Sequence, residues 1–322
     1  MKRIFFNTLG EPEKVLQIED VKTPEPGPNE VRVRIPLRPI HAIDLAWIRG
    51  VYPPPTPPPM TAGTEGIGIV EAIGQNVTGI NIGQRYSASW LGTWAEQLVL
   101  PAVILMPVPD AVSDQIACQI RSNPITAYAL LYEIKGNGFI INDAADTSVG
   151  RLMIQIAARQ NKPLINLTRF YKDVPGLKEI GAEHIIVTED KDWVQQIKKT
   201  AGNKPIVGLL DAISGNTAEQ LAGTLAPGAQ IVNYGRLSRQ PLHLTEEQAG
   251  ARNIKLEHFV IAEWSNKVGS EKRQQVFNEL WGLFAKKSLV IPIAATYPLR
   301  KFKEAIKTAE SPETHGKVLL SS

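Results

Sequence analysis

Short apolar runs alternate with turn residues through the first third of the chain. Residues 31–35 read Val, Arg, Val, Arg, Ile, the period-2 pattern of a half-buried strand. Residues 66–73 predict a second strand, ending in the turn Gly74-Gln75-Asn76. Residues 79–85 predict a turn into a third, and 94–100 a strand that closes the set. This spacing predicts a partly open barrel over residues 1 to about 118. Beyond Cys118 the period changes. A helical stretch at 123–133 precedes an apolar strand at 139. Strands at 163–168, 185–187, 207–211 and 230–234 then alternate with helices at 151–161, 176–180, 192–200 and 216–224. The alternation predicts a doubly wound parallel sheet, an α/β domain with helices on both faces. An amphipathic helix is expected at 272–285, another helix at 301–309 and a final strand at 316–320. The segment after 294 is expected to return to the first domain. The predicted domains are therefore 1–118 with 288–322, and 119–287.

The strand at 139 leads into Asn142-Asp143-Ala144-Ala145-Asp146-Thr147-Ser148-Val149-Gly150. Small residues before a helix let backbone N–H groups approach a pyrophosphate and offer it the positive end of the helix dipole. Arg169 ends the next strand, where a carboxylate would grip the ribose of NAD. A cation there suits a 2′-phosphate, so the cofactor expected is NADPH. A full G-x-G-x-x-G is absent, since only Gly150 remains of its glycines. The residues alone leave two readings open: a dinucleotide site, or an α/β crossover that binds nothing.

Composition narrows the rest. The chain has 322 residues, 43% hydrophobic and 21% charged, ordinary proportions for a globular protein of two domains. A net charge of +3 gives no reason to expect nucleic acid or a membrane as partner. Cys118 is the only cysteine, which excludes an intrachain disulfide and any cysteine-based zinc cluster. With no signal-peptide pattern at Met1–Phe6 and no long apolar span, the expected setting is cytoplasmic. Pro53-Pro54-Pro55-Thr56-Pro57-Pro58-Pro59 is a stiff loop, open to two readings: a rigid surface connector, or a wall that fixes Tyr52 just before it.

The order of landmarks resembles the medium-chain dehydrogenase/reductase superfamily along nearly the whole chain. The likeness is nearest to its zinc-free branch, the mitochondrial-type 2-enoyl thioester reductases and the NADPH:quinone reductases. It is carried by His41-Ala42-Ile43-Asp44-Leu45, Arg49-Gly50-Val51-Tyr52, Gly63-Thr64-Glu65-Gly66, Val77-Thr78-Gly79, Leu91-Gly92-Thr93-Trp94, Asn123–Tyr128, Asn142–Gly150, Ile165–Arg169, Leu177–His184 and Val232–Gly235. The resemblance implies a GroES-like catalytic domain and a Rossmann domain. Zinc-dependent members hold their catalytic metal with Cys, His and Cys. Here the matching positions are His41, Thr64 and Asn123, a poor set for zinc, so no metal is expected.

The same resemblance implies roles. Tyr52 matches the proton-donating tyrosine of the enoyl reductases. Asn123, Asp146, Thr147, Ser148 and Val149 match residues on the nicotinamide side and the phosphate loop. Arg169, Phe170 and Tyr171 match the adenosine end. Tyr234, Gly235, Arg236 and Leu237, with Phe259, Val260, Ile261 and Ala262, match segments beside the ribose and nicotinamide. Lys317 matches a lysine near the cofactor. His41 is expected as a wall of the substrate pocket and Trp264 as its apolar lining. Three functions are compatible with this reading. The first is an NADPH-dependent reductase of an enoyl thioester or enone. The second is an NADPH:quinone oxidoreductase, and the third a catalytically silent NADPH-binding redox sensor. The edge at 251–262 resembles the region through which family members dimerise, which implies a homodimer.

Overall fold

The structure is a computed structural model that describes residues 1–322. Its contacts divide the chain into two units, Met1–Ser122 with Trp281–Ser322, and Asn123–Leu280. The expected limits at 118 and 288 both fall inside the first unit, because residues 119–122 and 281–287 belong to it. The Arg121 N–H donates to the Glu65 carboxylate, which ties that segment to the first unit's sheet. Trp281 and Phe284 bury their rings at the end of helix Ile261–Ala285.

In the first unit the strands are β1 (Lys2–Phe6), β2 (Gln17–Asp20), β3 (Glu30–Pro39), β4 (Met60–Thr61), β5 (Glu65–Ile73), β6 (Arg85–Ser89), β7 (Gln97–Pro101) and β8 (Met106–Pro107). A small sheet runs β2-β1-β4. In β3, Val31, Val33 and Ile35 are buried while Arg32 and Arg34 are not, which is the alternation expected from the sequence. Bulges between Arg32/Val33 and Arg34/Leu37 shift its register against β5, the device that curves a sheet toward closure. Trp94 lies outside the expected strand, which begins only at Gln97. Its indole is fully buried and donates to the Pro39 carbonyl at 3.3 Å.

In the second unit β9 (Phe139–Asn142), β10 (Leu164–Thr168), β11 (His184–Val187), β12 (Ile206–Asp211), β13 (Gln230–Asn233) and β14 (Lys255–His258) form one sheet in the order β11-β10-β9-β12-β13-β14. Every pairing is parallel. The chain steps from β9 to β10 and β11, then returns to place β12 on the other side of β9. With right-handed crossovers, this reversal puts helices on opposite faces. β9 and β10 are buried at every position, whereas all four residues of β14 are exposed. The edge expected over 251–262 is therefore shorter. Ala251 closes helix Glu246–Ala251, and Ile261 already opens the next helix.

The final elements, β15 (Ile293–Pro298) and β16 (Lys317–Ser321), lie in the first unit, as expected. β16 pairs parallel with β15 and antiparallel with β3, completing the order β15-β16-β3-β5-β6-β8, with β7 also paired to β3. Two helices differ from expectation. The one predicted at 151–161 spans Ser148–Arg159, because Thr147 caps it three residues earlier. The one predicted at 272–285 begins at Ile261 and is interrupted at Gly269, whose φ of 77° no helix allows.

Candidate active site: a nucleotide cradle and a buried polar network

In the second unit, Thr147 Oγ accepts from the Gly150 N–H at 3.1 Å and donates to the Ala144 carbonyl at 2.7 Å. Thr147 thus caps helix Ser148–Arg159. The N–H groups of Ser148 and Val149 lie in the first turn, where the helix itself supplies no partner. A Cβ on Gly150 would stand 2.1 Å from the Ala144 carbonyl oxygen. The approach of helix to strand end therefore requires glycine there, and this is the one position that kept it. Asp146 is exposed, and Ser148 and Val149 are half-buried.

The residue after β10 is Arg169, exposed, with its guanidinium 5.0 Å from the centre of the Phe170 ring. Lys172, which sequence reasoning missed, lies 5.2 Å from that ring. Two cations and an aromatic face thus cluster at the end of β10, a chemistry suited to a phosphorylated ribose and its base. Tyr171 is 61% exposed and its hydroxyl donates to Asp190 at 2.7 Å, so it is held by that carboxylate.

The segment Tyr234–Leu237 follows β13 and lies on the end of β12. The Tyr234 N–H donates to the Asp211 carbonyl at 2.8 Å and the Leu237 N–H to Ala212 at 3.0 Å. The Tyr234 hydroxyl is buried without a hydrogen-bond partner. Phe259 is fixed by its N–H on the Asn233 carbonyl at 2.8 Å, while Val260 and Ala262 are exposed and Ile261 is half-buried. Trp264 is buried, and its indole N–H also lacks a partner. Asn123 opens helix Asn123–Glu133. The capped turn, the required glycine and the paired cations fit a phosphorylated dinucleotide.

In the first unit, His41, Asp44, Glu65 and Lys317 are all buried. His41 precedes helix Ala42–Arg49, and Asp44 accepts its backbone N–H at 2.9 Å and the Thr64 hydroxyl at 2.9 Å. His41 Nε2 lies 2.9 Å from Glu65 Oε2 and Nδ1 lies 3.2 Å from Lys317 Nζ. Lys317 also donates to the Ile40 carbonyl at 3.1 Å. Burial, then Lys317, hold the imidazole well below its ordinary range. Burial pushes Asp44 up to about 6 and Glu65 up to about 8, and lowers Lys317 to about 8. Lys317, expected beside the cofactor, holds its ammonium in this network. Tyr52 lies half-buried just beyond the Gly50 cap of helix Ala42–Arg49.

Residues 27–110 match the Alcohol dehydrogenase GroES-like domain and 180–320 the Zinc-binding dehydrogenase domain. A mitochondrial enoyl-[acyl-carrier-protein] reductase of Xenopus tropicalis is 29% identical, over 98% of this chain and 94% of that protein. A Bacillus thuringiensis structure assigned as an NADPH:quinone reductase is 31% identical, covers 100% of this chain and 98% of its own, and has a TM-score of 0.93. The Escherichia coli quinone oxidoreductase complexed with NADPH is 26% identical, covers 100% of both chains and has a TM-score of 0.91.

Zinc is implied by one of the matched domains, yet the residues at the ligand positions do not fit it. Both ring nitrogens of His41 are engaged, by Glu65 and Lys317, and the Thr64 hydroxyl is directed to Asp44. Asn123 would offer only an amide.

Proposed function

This chain belongs to the medium-chain dehydrogenase/reductase superfamily, and we propose from that premise that it is an NADPH-dependent reductase acting on an activated, conjugated acceptor. An enoyl thioester or an enone is the preferred acceptor. The observation that carries the choice is the commitment of His41 and Thr64 to Glu65, Lys317 and Asp44. Without a Lewis acid at those positions, an acceptor must be electron-poor on its own account.

Ser148 and Val149 would hold the pyrophosphate with their backbone N–H groups, on the turn of Asp146 and Thr147. Arg169 and Lys172 would hold the 2′-phosphate, and Phe170 the adenine. Asn123, Tyr234, Gly235, Arg236 and Leu237, with Phe259 to Ala262, would line the nicotinamide half, and Trp264 the acyl group. When bound there, NADPH would supply a hydride for the β-carbon of the acceptor. Tyr52 would deliver a proton to the α-carbon as charge on the carbonyl oxygen is relieved.

Quinone reduction is the second reading, supported by the likeness to the two quinone reductase structures. We further propose a homodimer through the exposed strand β14 and the residues after it, where Leu256 is 42% and Val260 47% exposed. No helix is long and apolar enough to cross a membrane. We keep the cytoplasm as compartment on the single buried cysteine; the mitochondrial location belongs to the named relatives. The deciding experiment is NADPH oxidation with an enoyl thioester, an enone and a quinone, each repeated with NADH. Turnover of none of them, with NADPH bound, would favour the silent sensor.

A further inference from the structure

Two carboxyl groups meet where the order of the parallel strands reverses. Asp143 directly follows β9 and Asp211 ends β12, the strands on either side of the reversal. Both are buried, and both reach the same donor: the Ile213 N–H lies 3.4 Å from Asp143 Oδ2 and 3.1 Å from Asp211 Oδ1. Two buried carboxyl groups held this close repel each other unless one retains a proton. Burial, then Asp211, push the Asp143 carboxyl well above the usual carboxylate range.

The pair also organises the backbone around it. The Ala212 N–H donates to Asp143 Oδ1 at 2.9 Å and the Ile213 N–H to Asp143 Oδ2 at 3.4 Å. Asp211 Oδ1 accepts from Ile213 at 3.1 Å and from Ser214 at 2.8 Å, and Asp211 Oδ2 from the Asn233 amide at 2.9 Å. Ser214 sits at a φ of 63°, a conformation these bonds maintain. The Tyr234–Leu237 segment rests on this turn through Tyr234 to Asp211, Leu237 to Ala212, and the Ser214 hydroxyl on the Gly235 carbonyl at 2.9 Å.

We propose that Asp143 and Asp211 share one proton that clasps the 211–214 turn beneath Tyr234–Leu237, and that coenzyme affinity depends on this proton. The proposal rests on the nucleotide reading above. With the proton in place the pair carries one negative charge and is bonded. Without it, two buried anions repel each other at the crevice that must also receive a pyrophosphate. The Tyr234 phenol interacts with both carboxyls of the pair and with Asp146. Arg151 interacts with Asp146, and no cation acts on Asp143. Nothing nearby therefore replaces the lost proton, which leaves to solvent as the pH rises.

The test is NADPH binding, read by coenzyme fluorescence from neutral to alkaline pH, for the wild type and Asp143→Asn. The asparagine amide donates permanently to Asp211. Wild-type affinity should fall about tenfold per pH unit above the titration of Asp143, the slope for one linked proton, while the variant stays flat. Titration of the coenzyme itself affects both proteins alike, so a parallel fall in both overturns the clasp. Infrared difference spectra of the wild type with isotope-labelled aspartate carboxyls, without coenzyme, give a second readout whether or not the variant folds; the label separates the pair from Glu65, which itself holds a proton up to about 8. A protonated-carboxyl band should be present at neutral pH and vanish on alkaline titration; its absence overturns the proposal. Failure to bind NADPH at any pH overturns the coenzyme reading instead, and the carboxyl band tells the two failures apart.

Discussion

Lys317 Nζ lies 3.2 Å from His41 Nδ1, and that contact sets the charge state of the buried network. An ammonium only donates, so Nδ1 accepts and Nε2 carries the hydrogen given to Glu65. His41 is therefore a neutral bridge. Lys317 supplies the positive charge acting on Asp44 and Glu65. A buried cation with two carboxylates around it is costly to dismantle, because removing one member leaves the others uncompensated.

Lys317→Met should be destabilised in a pH-dependent way. Glu65 titrates at about 8 in the fold, above its ordinary value of 4.5. Its contribution is full below that ordinary value and is lost as pH rises through about 8. Lys317 is lowered from 10.5 to about 8, so burying its ammonium costs stability below about 8, and the cost fades toward 10.5. Without the lysine, ionised Asp44 is left buried with no cation, while Glu65 keeps its proton to still higher pH. Urea unfolding should show a loss of about 3 kcal/mol between about pH 6 and 8, where Asp44 is ionised and Lys317 still charged, and the loss should shrink above pH 8 as the wild-type lysine gives up its proton. Below pH 6, where Asp44 is also protonated, the variant should equal or exceed the wild type. A pH-independent difference would contradict this account.

Arg38 should matter as much to folding, for another reason. It is fully buried, and its guanidinium donates to the carbonyls of Thr93, Leu320, Ile35 and Ala95 and to the Ser322 hydroxyl. No carboxylate is among these partners, and burial lowers it to about 9. Arg38→Met fills much of the space but orphans carbonyls on three segments. It should cost at least about 3 kcal/mol in thermal unfolding. A loss below about 1 kcal/mol would mean that water replaces the guanidinium.

Much of the architecture was legible because its cause is local. The alternation Val31-Arg32-Val33-Arg34-Ile35 became the buried and exposed faces of β3, and helix Asn123–Glu133 has the limits its pattern predicts. Errors arose where distant contacts decide. The resemblance gave Lys317 a place near the cofactor but no partner; β16 lies against β3 and brings it to His41, far away in sequence. Asp143 and Asp211 each end an apolar run, which hints at a strand end. Only the adjacency of β9 and β12 makes them a pair, and no periodicity encodes that adjacency. Lys172 was hidden because a helical turn over Tyr171–Asp173, not spacing along a strand, brings it to Phe170.

Arg169→Ala should separate coenzyme selectivity from catalysis. A charge-assisted contact to a phosphate contributes about 2 kcal/mol, so NADPH binding should weaken roughly thirtyfold. NADH binding should change little, since it lacks the group that the guanidinium grips. Fluorescence titrations with both coenzymes measure this directly. Equal losses for NADPH and NADH would show that Arg169 only stabilises the strand end. A residual preference for NADPH is expected from Lys172, and should disappear in the Arg169→Ala/Lys172→Ala double variant.

Tyr52→Phe distinguishes the two reductions that the same hydride could serve. Reducing a conjugated carbonyl leaves a carbanion equivalent at the α-carbon that must be protonated there, and a positioned general acid contributes about a hundredfold or more. A quinone takes its protons on oxygen, where water delivers them readily. The variant removes one hydroxyl and keeps the ring beside the proline loop, so fold and coenzyme binding should be retained. If Tyr52 is the donor, kcat with an enoyl thioester should fall about a hundredfold or more while quinone reduction stays within a few fold of wild type. Deuterium incorporation at the α-carbon should also lose its facial preference, because solvent can approach either side. An unchanged kcat with preserved stereochemistry would remove Tyr52 from the mechanism and leave quinone reduction as the better reading of this site.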